Sequence, residues 1–203
     1  MLLKLYLYFR MEMNSGTVLG HFLQALPIAC IAGLVFFAIR FARLRKRKEQ
    51  IDWGQEMLRV VFVCYLTGLI SLVVLPANFW LSVYDGIFLG WWNEVGQVFR
   101  LGGVSLVPAV IRCLRGELSL GSWVKTMLLG NAAMFVPLGF FLPLVARIRS
   151  VRRLVAAAVA APLCFETVQL FFGRIFDVDD LLCNFTGIVL GATLACVMVR
   201  KGG

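Results

Sequence analysis

A handful of polar residues stands inside a chain otherwise built for an apolar medium: Asn131, Glu166, Gln169, Arg174, Asp177, Asp179, Asp180 and Asn184. Glu166 is the most telling, because Leu154–Gly173 is apolar apart from it and Gln169. An Asp at the centre of a membrane helix costs about 2.5–3.5 kcal/mol on insertion scales, so an ionisable residue kept there usually has a partner or a task. Two chemistries suit this set. In the first, Glu166 and Asp180 serve as general acid or base on a lipid-linked substrate, Arg174 holds an anionic group, and Asp177 helps to place a water or cation. In the second, Asn131, Gln169, Arg174, Asp177 and Asn184 bind the polar part of a ligand without chemistry. Charge weighs against the first, since Glu166, Asp177, Asp179 and Asp180 against Arg174 sum to −3 if all ionise, which repels phosphate. A purely architectural reading stands beside both. Asn131 and Asn184 would then join helices, Glu166 would pair with Arg174 about two helical turns away, and Asp179 would be a solvated loop acid.

The elements that hold these residues follow from composition. Of 203 residues, 61% are hydrophobic and only 15% charged, against about 25% charged in a soluble domain, and mean hydropathy is +0.87. A soluble fold of this length has no interior large enough for that surface, and 17 Phe with 5 Trp exclude disorder. An all-α polytopic membrane bundle in a single domain remains. A span needs about 20 apolar residues, and five are predicted at about 18–42, 58–77, 123–146, 154–173 and 181–199.

The 20 Lys and Arg against 11 Asp and Glu give a net +9, and position explains the excess. Arg40, Arg43, Arg45, Lys46, Arg47, Lys48 and Arg59 flank the link between spans one and two. Arg147, Arg149, Arg152 and Arg153 join spans three and four, and Arg200 and Lys201 follow span five. Short basic links mark the cytoplasmic face, so the N-terminus is expected outside and the C-terminus inside. Nucleic acid is not needed to explain the RLRKRK run, which adjoins a span and holds no aromatics.

With that orientation the polar residues converge towards the outer side. At 1.5 Å per residue Glu166 lies roughly 18 Å along span four, and Asn131 roughly 12 Å below the outer end of span three. Pro162 and Pro137 interrupt the hydrogen bonding of those two helices. On span five Asp180, Asn184, Gly187 and Gly191 share one stripe, the glycines forming a seam for close helix approach. The long outer connection, about 77–122, carries Trp80, Tyr84, Phe88, Trp91, Trp92 and Phe99 and is expected at the membrane interface. Residues 1–10 are too short to span; they form a short interfacial helix or precede a start at Met11 or Met13.

No cofactor motif is present: G-x-S-x-G, P-loop and G-x-G-x-x-G signatures are missing, the six Cys form no C-x-x-C pair, and His21 is the lone histidine. No metal is assigned, since Glu166, Asp177 and Asp180 match no metal-loop spacing.

Three motifs in order, Asn131–Gly139 (NAAMFVPLG), Glu166–Gln169 (ETVQ) and Arg174–Gly191 (RIFDVDDLLCNFTGIVLG), resemble the VanZ-like family of bacterial membrane proteins over about residues 58–197. The pattern carries onto Asn131, Phe135, Pro137, Gly139, Glu166, Gln169, Arg174, Asp177, Asp180, Asn184, Gly187 and Gly191. Ser105–Pro108 (SLVP) looks like the family's N-L-[IV]-P-F stretch, with Ser105 in place of the Asn and Ala109 in place of the Phe. The resemblance implies a multi-pass protein of the bacterial plasma membrane, with Pro137, Gly139, Gly187 and Gly191 in helix packing. It also implies an association with low-level resistance to the glycopeptide teicoplanin. The expected partners are membrane lipids and an envelope lipid or glycopeptide-related ligand.

Overall fold

The computed structural model describes residues 2–96, 98–117, 121–146, 148 and 150–201, excluding the side chains of Leu2, Glu94, residues 122–126 and residues 199–201. Arg147 and Arg149, and the side chains of Arg200 and Lys201, therefore lie outside the described residues, as does Met1. The chain divides into two compact units, Met1–Arg100 and Leu101–Gly203.

In the N-terminal unit, α1 (Leu2–Met13) leads into α2 (Val18–Arg47), α3 (Trp53–Val73) and α4 (Phe79–Leu89), with a 3-10 turn at Trp92–Val95. Side chains start the long helices. Thr17 accepts from the Gly20 amide at 3.1 Å and opens α2, and Asp52 accepts from the Gln55 amide at 3.2 Å and opens α3. Lys48, left-handed at φ 54°, closes α2. The expected spans 18–42 and 58–77 are thus corrected to Val18–Arg47 and Trp53–Val73. The apolar run was the wrong ruler. Helical hydrogen bonding continues through charged turns whose long side chains reach outward, and Pro76 disfavours helix at the residue before it.

Glu56, in the first turn of α3, is buried and held by two arginines. Arg40 of α2 donates to it at 2.9 and 3.2 Å, and Arg59 also pairs with it. α1 is anchored through Tyr6 and Met13, which form a small core with Leu81 of α4.

The C-terminal unit contains β1 (Val104–Ser105), α5 (Ala109–Leu114), α6 (Ser122–Val145), α7 (Val151–Leu170), β2 (Phe176–Asp177) and α8 (Val178–Lys201). Expected boundaries 123–146, 154–173 and 181–199 move by one to three residues. A two-residue parallel strand pair sets Val104 opposite Phe176 and Ser105 opposite Asp177. Among the described residues five helices are long and apolar enough to cross a membrane: Val18–Arg47, Trp53–Val73, Met127–Val145, Val151–Leu170 and Val178–Met198.

α6 and α8 approach closely enough that side chains would collide with backbone. A Cβ on Gly187 would meet the Ala132 carbonyl, one on Gly191 the Val136 carbonyl, and one on Gly139 the Ile188 carbonyl. Glycine permits this approach by having no Cβ. Ile188, Ala192 and Ala195 continue the buried face of α8.

Candidate functional site

The C-terminal unit gathers polar groups where α7 ends, β2 follows and α8 begins. Glu166 lies about one turn before the C-terminal end of α7 and is 0% exposed. One carboxylate oxygen accepts from the Asp177 amide of β2 at 3.2 Å, and the other lies 3.4 Å from the Asn184 side-chain nitrogen on α8. Asn184 is itself buried, and its amide oxygen has no hydrogen-bond partner among the described residues. Gln169, one turn beyond Glu166, is buried as well. Its backbone carbonyl accepts from the Phe172 amide at 2.9 Å and the Arg174 amide at 3.2 Å, which turns the chain back on itself.

Above this interior lies a half-buried rim. Asn131 of α6 donates to the Asp180 carboxylate of α8, joining the two helices beside their glycine seam. Asp177 accepts from the Asp179 amide at 2.9 Å, which bends the entry to α8. Asp179 reaches across to accept from the Ala109 amide at 2.7 Å. That bond corrects the reading of Asp179 as a solvated loop acid.

Arg174 is exposed and forms no ion pair among the described residues, so the expected Glu166–Arg174 pair is not formed. The link from Gly173 to Phe176 explains why. Gly173 takes a left-handed φ of 76°, and the Gly102 amide bonds the Leu170 carbonyl at 2.8 Å while the Phe176 amide bonds the Gly103 carbonyl at 2.9 Å. The backbone of Arg174 is pressed against Gly102, where any Cβ would strike the Arg174 carbonyl, and its side chain is left facing solvent.

Sequence reasoning missed this strap of residues 102–109. Its signals were the paired Gly102 and Gly103 and the S-L-V-P stretch, but nothing in their spacing names residues about 70 positions away as partners. Phe135, 1% exposed, meets Phe165 edge-on with ring centroids 5.2 Å apart and closes the apolar side between α6 and α7. Pro162, on α7, is fully buried, and Pro137 lies within α6. Among the described residues no group of three or more His, Cys, Asp or Glu is placed to hold a metal ion.

The molecule is therefore a multi-pass helical membrane protein with a buried carboxylate and buried amides set under an acidic rim. Residues 25–199 match the VanZ/LLP1 family model, and the chain belongs to that family. No curated protein matches the chain, and no solved structure matches it.

Proposed function

We propose that this VanZ/LLP1 protein works in the bacterial plasma membrane, with its N-terminus outside and its C-terminus in the cytoplasm. The Asn131, Glu166, Gln169, Arg174, Asp177, Asp180 and Asn184 cluster then engages the polar part of an envelope lipid or glycopeptide-related ligand, contributing to teicoplanin resistance. The orientation rests on the basic links between spans. The observation that carries the binding reading is the state of the interior. Glu166 is wholly buried without an ion pair, and Asn184 beside it keeps an unused acceptor. A protein optimised only for packing would satisfy or replace such groups, since each unsatisfied buried polar group costs about 1–3 kcal/mol. Arg174, exposed and unpaired at the rim, supplies the positive charge that an anionic head group would meet first.

The test is susceptibility of cells carrying wild type, Glu166→Ala, Asp180→Asn or empty vector at matched membrane levels. Both variants are expected to lose the teicoplanin protection that wild type confers. Equal susceptibility of all four strains would end the proposal.

The same buried carboxylate favours one alternative, an intramembrane enzyme acting on a lipid-linked envelope substrate, with Glu166 and Asp180 as acid and base. Lipid and wall-precursor profiles of knockout and complemented membranes separate the two readings. Accumulation of an unprocessed lipid-linked species in the knockout supports catalysis, and an unchanged profile leaves binding alone.

A further inference from the structure

The N-terminal unit holds a cleft of about 490 Å³ between α1, α2 and α4, within the size range of dedicated small-ligand sites, about 300–1,000 Å³. Its walls are hydrocarbon. Leu26 and Ile31 of α2 and Ile87 and Phe88 of α4 face it with exposed side chains, opposite Leu5 and Phe9 of α1.

Two tyrosines also line the cleft, and both hydroxyls are committed elsewhere. Tyr6 donates to Asp85 at 2.5 Å, and Tyr84 donates to the Gln24 carbonyl at 2.8 Å. Only their rings remain as wall. A polar ligand has nothing to bond here, and water in a purely apolar cavity forgoes its hydrogen bonds. On α2 the lining runs from Leu23 to Ile31, roughly 12 Å of helix, most of the ~15 Å depth of one leaflet's hydrocarbon.

Beside the cleft, where Tyr6 meets Asp85, lies a polar group. The Arg10 guanidinium, bonded to the same Asp85 as Tyr6, stacks over Trp91 at 5.6 Å, and Trp91 is exposed. Tryptophan and arginine together are the residues that settle at head-group level. An apolar slot along a membrane-length helix, next to such a collar, matches an amphiphile. The amphiphile present at the highest concentration around that helix is membrane lipid.

We propose that this cleft is a binding site for one acyl chain of a membrane phospholipid, separate from the Glu166 cluster and sharing no residue with it.

The test uses the full chain in vesicles of phosphatidylcholine and phosphatidylglycerol containing a phosphatidylcholine with a diazirine in one acyl chain. After illumination, labelled positions are mapped by peptide mass spectrometry. Labelling is expected to concentrate on Leu26, Ile31, Ile87 and Phe88. It should exceed severalfold that on Leu194 and Met198 of α8, which are comparably exposed apolar residues. Even labelling over all six positions overturns the proposal, as do crosslinks joining two copies of the chain through these residues, which would make the cleft a self-association surface. Leu26→Trp and Ile87→Trp, which fill the slot, should each reduce cleft labelling to the level of α8 without changing α8. Persistence of cleft labelling in a folded variant also overturns it, and the mapping on wild type stands whether or not the variants fold.

Discussion

Asp85 in the N-terminal unit and Glu166 in the C-terminal unit are both carboxylates taken out of solvent, 4% and 0% exposed, and their surroundings are opposite. Asp85 receives two hydrogen bonds from Arg10, at 2.6 and 2.9 Å, and a third from Tyr6. Glu56, also in the N-terminal unit, repeats the pattern with Arg40 and Arg59. Glu166 has a backbone amide and a distant side-chain amide, and no cation bonded to it. The N-terminal unit uses buried acids as clamps, Asp85 tying α4 to the distant α1 and Glu56 tying α3 to its neighbour α2. The C-terminal unit is joined instead by backbone proximity at glycines, and its buried acid is left over from that task. A carboxylate already matched by a bidentate arginine has little capacity for a ligand. One held only by amides retains it.

The comparison can be broken at several points. The largest effect is expected at the glycine seam. Gly187→Leu or Gly191→Leu should destabilise by about 3 kcal/mol, the upper end for overpacking, because the colliding atoms are backbone. Gly130→Ala on α6, the partner helix of that seam, should be near neutral, since nothing lies within 4 Å of its added Cβ. Unfolding in detergent micelles measures both.

Asp85→Asn comes next, at about 2–3 kcal/mol, somewhat below the cost of breaking a fully buried pair, because the Arg10 side chain is 30% exposed. The same variant should release α1 to proteolysis. Uncut α1 in that variant would show that the clamp is not needed.

Acid should reproduce part of that loss. Burial opposes the charge on Asp85, but the Arg10 and Tyr6 hydrogen bonds outweigh it and hold the carboxyl below its ordinary value. Its contribution is therefore complete above the normal Asp range near about 4 and is lost as pH falls through the depressed folded-state value. Tyr6 shifts upward, through burial and then the Asp85 contacts. Proteolysis of α1 against pH reads the effect, and Asp85→Asn should flatten the curve.

Of the two carboxylate variants, Glu166→Gln should cost less stability, within about 1 kcal/mol of wild type. The new amide oxygen can still accept from the Asp177 amide, and its NH2 group can donate to the unused Asn184 oxygen once the Asn184 amide, whose NH2 now faces residue 166, turns over. A loss as large as that of Asp85→Asn would make Glu166 another clamp and erase the distinction.

Much of this was legible in the residue order. Five apolar stretches, the basic links and the polar positions of α6, α7 and α8 follow from composition and helical periodicity, which are local. The stripe of Asp180, Asn184, Gly187 and Gly191 is periodic at 3.6 residues and can be read without a partner. Asp85 could not be read in this way. Its only marking was an acid in an aromatic loop, and its partners lie 75 and 79 residues earlier. Residues 1–10 looked dispensable for the same reason, since Tyr6 and Arg10 acquire a purpose only when α4 is beside them.

By itself, then, the sequence determined that the chain is a polytopic helical membrane protein, which helices carry its polar residues, and to which family those motifs belong. Hydrophobicity and helical period act over a few residues, and a linear reading resolves both. The tertiary structure decided which acids are neutralised. Arg174, close to Glu166 in sequence, points to solvent because the strap at Gly102 fixes its backbone, whereas Arg10, far from Asp85, holds it with two hydrogen bonds. Charge pairing depends on distances of a few ångströms in three dimensions, and sequence separation does not set those distances.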